Sequence, residues 1–425
     1  MHGVAHGIPA ARRHVRVNTV GYEFSSDQYR SGGPCVPAQS PRCGLRPAVL
    51  HVVQPVDGGV ARVVTDLVAD QLGAGLPAAV ACPASGALAD AVRALGADVH
   101  PWRARRVPGP LLPLEIRQLA GVLERVHPQV VHAHGVRAGL AARFALRGRI
   151  PTVFQPHTWS FEAGGGVTAR LARRWERYGA RWADQVVCVS EAEQRTGERA
   201  GIDARWTVIP NGVDTRRFRP AVEDRPRALP PLVADLPESA PLVVCVGRLC
   251  RQKGQDMLLA AWEHVLRRLP NACLVLVGDG PDAEELRANA PASVRFAGAA
   301  PDVASWYRAA DLVVLPSRWE GMALPPLEAM ACGRPVVVTD VGGARESLPP
   351  GHALFCLTPS RDPYALATAV ADLLLNAPLR ATLGRQGHQH VLSAHDVRHA
   401  AGAVADVYRE VAGVEPVRRR TPLVR

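Results

Sequence analysis

The chain has 425 residues, 47% of them apolar, which is enough for two α/β domains that each bury a core. No run of about 18 uncharged apolar residues occurs, so a membrane-spanning helix is not expected. The charge of +11 sits mostly at the ends: residues 1–46 hold six arginines and two acids, and residues 418–425 hold four arginines, leaving +3 for the body. That is not a basic binding face, so nucleic acid is not an expected partner. The nine cysteines are scattered and never spaced as CxxC, which reads as free thiols in a reducing compartment. The N-terminus lacks an apolar core of signal-peptide length. A cytoplasmic protein is therefore expected.

Residues 1–46, rich in Gly, Pro, Ser and Arg, read as a disordered extension. Val49–Val53 reads as the first strand, Gln54–Gly59 as a turn, and residues 60–72 as a helix. Gly58-Gly59 would let the backbone approach a ligand; a tight turn without a ligand is the plainer alternative. A strand at 78–81, a helix at 88–95, an Arg-rich connection at 103–113 and a helix at 114–126 follow. Residues 129–135 form the next strand, on which His132 and His134 are read as projecting to opposite faces and so unable to share a metal. The strand at 153–158 runs to His157, and carboxyl ends of parallel strands face the ligand crevice. Residues 169–183 form a helix with Leu171, Trp175, Tyr178 and Trp182 on one face and five arginines over much of the rest. Packing of the aromatic stripe on the sheet is favoured; weak peripheral contact with an anionic membrane at its inner face is the alternative.

Residues 216–240 read as a linker, after which Leu242–Val246 opens a second series of strands. Strands at 274–277 and 294–298 follow; Gly278-Asp279-Gly280-Pro281 lacks the GxGxxG spacing of a dinucleotide site. Leu312–Leu315 is an apolar strand leading into PSRWEGMALPPLEAMACGRPVVV. Pro325-Pro326 marks a helix start, Gly333 its end and Val336–Val338 the next strand. This β-loop-α-β unit carries one carboxylate in the loop, Glu320, and another in the first helical turns, Glu328. Backbone N–H groups of residues 321–326, the prolines excepted, can meet an anion at the helix N-terminus. Hydroxyls held by carboxylates, with phosphate between them, describe a nucleotide sugar.

The E-x7-E spacing from Glu320 to Glu328, within EGMALPPLEAMACGRPVV, resembles the donor site of the retaining glycosyltransferases of family 4. Val208-Ile209-Pro210-Asn211-Gly212-Val213-Asp214 and Gly247-Arg248-Leu249-x3-Lys253-Gly254 resemble the same family in the same order, over roughly residues 47–412. The resemblance implies the GT-B architecture: two doubly wound parallel-sheet (Rossmann-like) α/β domains facing across a cleft. It implies that Arg248 and Lys253 hold the donor diphosphate, Glu320 the sugar hydroxyls and Glu328 the ribose hydroxyls. Met322, Ala323 and Leu324 would form the donor-facing turn, where the family commonly has an aromatic and a glycine in place of Met322 and Ala323. The Gly58-Gly59 loop would lie near phosphate and acceptor, and His157 beside the donor sugar and acceptor.

The implied activity is retaining transfer from a nucleoside-diphosphate sugar to an unidentified hydroxyl acceptor (glycan, lipid or small molecule). His157, Glu320, Arg248 and Lys253 would carry it. No cofactor is implied, the nucleotide sugar being a co-substrate. No Asp-x-Asp occurs, so no metal site is expected. A nucleotide-sugar epimerase of the same fold and a catalytically degenerate nucleotide-binding partner subunit are the alternatives. A pyridoxal-phosphate phosphorylase is disfavoured because the sole lysine, Lys253, lies in the diphosphate motif. The expected divisions are the extension (1–46), an acceptor-side domain (47–215), the linker (216–240) and a nucleotide-sugar domain (241–396). A helix crossing back (397–413) and a basic tail (414–425) would complete the chain.

Overall fold

The computed structural model describes residues 48–105, 110–221, 229–237 and 239–413. The expected extension and basic tail lie outside the described residues, as do parts of the linker and of the Arg-rich connection. Strands β1 (Val49–Val53), β2 (Ala78–Cys82), β3 (Asp98–Pro101), β4 (Val130–His134), β5 (Thr152–Gln155), β6 (Gln185–Cys188) and β7 (Trp206–Val208) form one sheet. All its pairings are parallel, in the order β3-β2-β1-β4-β5-β6-β7. A second parallel sheet contains β8 (Leu242–Val246), β9 (Cys273–Val277), β10 (Val294–Gly298), β11 (Leu312–Leu315), β12 (Val336–Thr339) and β13 (Leu357–Thr358). Its order is β10-β9-β8-β11-β12-β13.

The central strands β8, β9 and β11 are apolar along their whole length because helices cover both faces of a doubly wound sheet. β8, β9, β11 and β12 are buried at every position. Fully burying each Val or Leu stabilises by about 1.5–3 kcal/mol. The strand order reverses between β1 and β4 in the first sheet and between β8 and β11 in the second. Ligands of open α/β sheets bind at such switch points, beyond the carboxyl ends of the strands. The loops that matter are therefore those after β1, β4, β8 and β11.

The helix Val397–Val411 returns to the first sheet, where Ala401, Val404, Val407 and Tyr408 join a cluster with Val49, Val130, Val153 and Val187. Their three- and four-residue spacing is that of one helical face. The seven cysteines among the described residues are free and buried. Among the described residues, no helix is long and apolar enough to cross a membrane.

Several local expectations need correction. Gly58 and Gly59 do not precede their helix; they open it, as the first residues of Gly58–Gly73. β4 stops at His134, and Gly135 begins the helix Gly135–Leu146. β5 stops at Gln155, so His157 lies in the loop beyond it with φ of 61°. A left-handed conformation at a non-glycine residue costs about 1–2 kcal/mol, which the surrounding contacts must offset. The helix expected at 169–183 runs over Gly166–Gly179 and continues as a single 3-10 turn, Ala180–Trp182.

Candidate active site

Lys253 follows β8 in a turn and Glu320 follows β11, so the neighbouring positions of β8 and β11 bring together residues 67 apart in sequence. The Lys253 ammonium donates to Glu320 Oε1, and Ser317 Oγ donates to the same oxygen at 2.7 Å. Both charged side chains are largely buried, at 16% and 10% exposure. Arg248 lies half-buried in the same turn as Lys253. That turn is backed by the Gly278–Gly280 stretch: a β-carbon at Gly280 would come within 2.1 Å of the Leu249 carbonyl oxygen. The GDG run thus serves close backbone packing beneath the cation loop.

The helix Leu324–Ala331 starts beside this pair, with Ala323 as its N-cap residue and prolines in its first turn. Leu324 faces the first domain; a β-carbon at Gly59 would lie 3.9 Å from its Cδ1. Met322 is buried, and its carbonyl oxygen accepts from Asn211 Nδ2 at 2.7 Å. Glu328 lies one turn into the helix, buried, accepting from Tyr307 O–H at 2.8 Å. Burial pushes its carboxyl pKa upward. Asp66 of the Gly58–Gly73 helix is raised further, to about 7, by burial, against the opposing field of Arg62 and with that of Asp214 adding.

The two domains meet at this loop. The His157 carbonyl oxygen occupies the space beside Gly321, where a β-carbon would approach it to 2.2 Å. Glu346 of the second domain accepts the backbone N–H groups of Glu191 and Ala192, at 2.7 and 2.8 Å, at the start of the helix Glu191–Arg199. A carboxylate there satisfies free N–H groups and complements the helix dipole.

His157 Nε2 lies 3.2 Å from His134 Nδ1. Burial pulls the His157 pKa down to about 3, so its ring is neutral near pH 7. The expectation that His132 and His134 project to opposite faces was wrong. Alternate residues on a strand share a face, and their ring centroids are 3.9 Å apart. Register adds a third ring, because His51 on β1 pairs with His132 on β4. Ligating atoms of His51, His132 and His134 all lie within 4.8 Å of one another, close enough to be weighed as a metal cluster.

Arg248, Lys253, Glu320, Met322, Ala323, Leu324 and Glu328 thus belong to the second domain, and Gly58, Gly59 and His157 to the first. Sequence reading missed His51, Tyr307, Ser317, Asn211, Glu346 and Asp66 as partners in this region. Only the His-x-His pattern on a strand gave a usable signal, through its period of two.

Residues 57–217 match the profile described as Glycosyltransferase Family 4, and residues 240–376 match that described as Glycosyl transferases group 1. A relative confirms the assignment. The lipopolysaccharide core biosynthesis mannosyltransferase of Rhizobium meliloti is 34% identical over 248 residues, covering 56% of this chain and 68% of the relative. The chain belongs to the group 1, family 4 glycosyltransferases. It is also 31% identical over 342 residues to a GDP-mannose-dependent phosphatidylinositol monomannoside mannosyltransferase of Mycobacterium tuberculosis, covering 75% of this chain and 85% of that one. The Anabaena HepE structure with UDP-glucose superposes with a TM-score of 0.71 at 23% identity, covering 85% of this chain and 99% of that one. The architecture is GT-B, and the protein is a glycosyltransferase. A family of transferases also turns the epimerase alternative into the weaker one.

Proposed function

We propose that this glycosyltransferase takes its sugar from a nucleoside-diphosphate donor and transfers it to a hydroxyl with retention of anomeric configuration. The observation that carries the reading is the Lys253–Glu320 pair at the switch point of the second sheet, beside Arg248 and the start of the Leu324–Ala331 helix. Donor diphosphate would exchange for Glu320 on the Lys253 ammonium, with Arg248 adding charge. Together they would offset the negative charge that builds on the leaving group. Glu320 would then be free for sugar hydroxyls, and Glu328, opposite Tyr307, for ribose hydroxyls. Neutral His157 would meet the reacting hydroxyl. Glu320 is not assigned as a nucleophile. A relative dependent on GDP-mannose and a fold neighbour solved with UDP-glucose support a nucleotide-sugar donor.

Fixed cations and N–H donors can stabilise the leaving group without a divalent ion, so metal-independent turnover is part of the reading. The helix Gly166–Gly179 divides its apolar face: Trp175 stacks on Phe144 with centroids 4.3 Å apart, while Leu171 and Tyr178 are exposed. Any membrane contact there would be arginine-driven and salt-sensitive. Co-sedimentation with anionic vesicles that survives high salt would contradict it.

The degenerate-subunit alternative rests on Ala323. Its φ of −76° and ψ of 140° are ordinary for alanine, so the methyl group imposes no backbone strain. The deciding experiment is a thermal-shift screen over nucleoside diphosphates and their sugars, followed by NMR of the product anomer. A dose-dependent rise with a nucleotide sugar and a product of the donor's configuration is expected. An inverted product, or no nucleotide stabilisation, would overturn the proposal.

A further inference from the structure

Three histidines of the first domain, His51, His134 and His157, are joined in a chain that ends on a side-chain amide. His51 Nε2 lies 2.9 Å from Gln71 Oε1, and His51 Nδ1 lies 2.9 Å from His134 Nε2. His134 Nδ1 in turn lies 3.2 Å from His157 Nε2. Gln71 is oriented by its other end, whose Nε2 donates to the Tyr408 hydroxyl at 3.5 Å; that hydroxyl lies 2.7 Å from His132 Nδ1. Gln71, His51, His132 and His134 are buried. Burial holds His51, His134 and His157 neutral by driving their pKa values well down, so each ring carries one N–H.

The proton positions follow in order. The amide oxygen of Gln71 can only accept, so His51 carries its hydrogen on Nε2 and leaves Nδ1 bare. His134 must then donate from Nε2 and accept at Nδ1, and His157 must donate from Nε2. His157 Nδ1 is left as a bare lone pair. It has no hydrogen-bond partner among the described residues, on a ring that is half-buried.

We propose that the Gln71–His51–His134 chain is a positioning device that fixes His157 as the Nε2–H tautomer and presents its Nδ1 to a sugar hydroxyl as a hydrogen-bond acceptor. This rests on the glycosyl-transfer reading of His157 above. A bare nitrogen selects hydroxyl donors and rejects ether or carbonyl oxygens at that point. The chain cannot export a proton, because the amide at its far end accepts a hydrogen bond but not a proton. Its function is therefore orientation. The hydrogen bond from Gln71 to the Tyr408 hydroxyl also ties the chain to the returning helix Val397–Val411.

The test is nitrogen-15 NMR of histidine-labelled full-length protein, free of substrates, with His157 assigned by His157→Gln. Wild type should show His157 protonated at Nε2 alone. Gln71→Met, which removes the amide oxygen at similar volume, should give a mixture of tautomers. Its kcat should fall about fivefold, the worth of one neutral hydrogen bond, with KM for the donor unchanged. Gln71→Glu restores an oxygen acceptor and should return the single tautomer. A His157 protonated at Nδ1 in wild type, or a tautomer unaffected by Gln71→Met, would overturn the proposal. If wild type shows the expected tautomer but no glycosyl transfer, the positioning chain stands and the role of His157 in transfer falls.

Discussion

The carbonyl oxygen of His157 sits where a β-carbon on Gly321 would have to be, 2.2 Å away, and Val189 Cγ2 stands 2.8 Å from the same point. Both neighbours belong to the first domain, whereas Gly321 belongs to the second. A methyl group there would push the domains apart without straining either core. Gly321→Ala should therefore fold with a melting temperature close to wild type. Its kcat should fall about 100-fold, the scale expected when reacting groups are misplaced by about an ångström. Normal kcat would show that this approach is not needed for turnover.

His157 ends the histidine chain with a bare nitrogen at the cleft. His157→Ala should lower kcat at least about tenfold, or about 1.4 kcal/mol of transition-state stabilisation. Its fold should be kept, because the ring is only half-buried. Unchanged turnover at saturating substrates, with a lowered melting temperature, would make it a packing residue.

How much of this was legible in the sequence depends on which elements carried a pattern. β1, β8 and β11 have the expected limits because buried parallel strands are near-continuous apolar runs bounded by turn residues; β10 (Val-Arg-Phe-Ala-Gly), a half-buried edge strand, also has the expected limits, but without such a run. β3 (Asp-Val-His-Pro), β7 and β13 are short, partly exposed edge strands with no such run, and they went unread. The site motifs were legible one by one, through resemblance, as loops after strands. Their mutual contacts were not: the Lys253–Glu320 pair needs β8 beside β11, and the His51–His132 pair needs β1 beside β4. Strand order is set by tertiary packing and leaves no local trace. The misplacement of His132 and His134 has a different cause, since a period of two already puts them on one face.

Asp66 offers a pH test. Its pKa is pushed up to about 7 in the folded protein, chiefly by burial, so the native state binds its proton more tightly than the unfolded chain does. That contribution is fully present below about pH 4, the usual aspartate range. It is lost as pH rises toward 7. Asp66→Asn keeps the neutral shape and removes the titration, so the variant should be more stable than wild type at pH 8 and lose the advantage at pH 4. Calorimetric melting across that range gives the comparison. Parallel curves for the two proteins would mean that Asp66 titrates normally.

Ala323 stands in a backbone conformation that alanine and glycine share, at the N-cap of the Leu324–Ala331 helix. Replacing an N-cap alanine by glycine does not strain the helix start, since glycine is the better cap. Ala323→Gly should therefore keep its stability to within a few tenths of a kcal/mol and its activity, with a broader range of donor sugars where the methyl group had narrowed the pocket. Donor profiles of the two proteins provide the readout. Complete loss of activity would show that the methyl group is required for packing.

Lys253 is the only lysine in the chain, and the protein uses it in an ion pair with Glu320 at the end of β8. An ammonium paired with a carboxylate in a largely buried site is already desolvated, so exchanging the carboxylate for a diphosphate costs less than binding phosphate to a hydrated lysine. Lys253→Ala should lose at least about 100-fold in kcat, the size of such leaving-group stabilisation. It would also leave the Glu320 carboxylate facing the donor phosphates with Ser317 Oγ as its one hydrogen-bond partner among the described residues. Donor affinity should therefore fall together with kcat. Glu320→Gln separates the two effects: it frees the ammonium, so nucleoside diphosphate should bind at least as tightly, while transfer slows because the sugar hydroxyls lose a charged acceptor. Lys253→Arg should rescue little, because a planar guanidinium cannot place its charge where a compact ammonium sits. Turnover should survive chelator, since Lys253 and Arg248 are the cations assigned to the diphosphate. Isothermal titration with a nucleoside diphosphate and initial rates with and without chelator measure all of these. Near-normal turnover in Lys253→Ala, or strict dependence on a divalent ion, would remove the diphosphate assignment and the mechanism built on it.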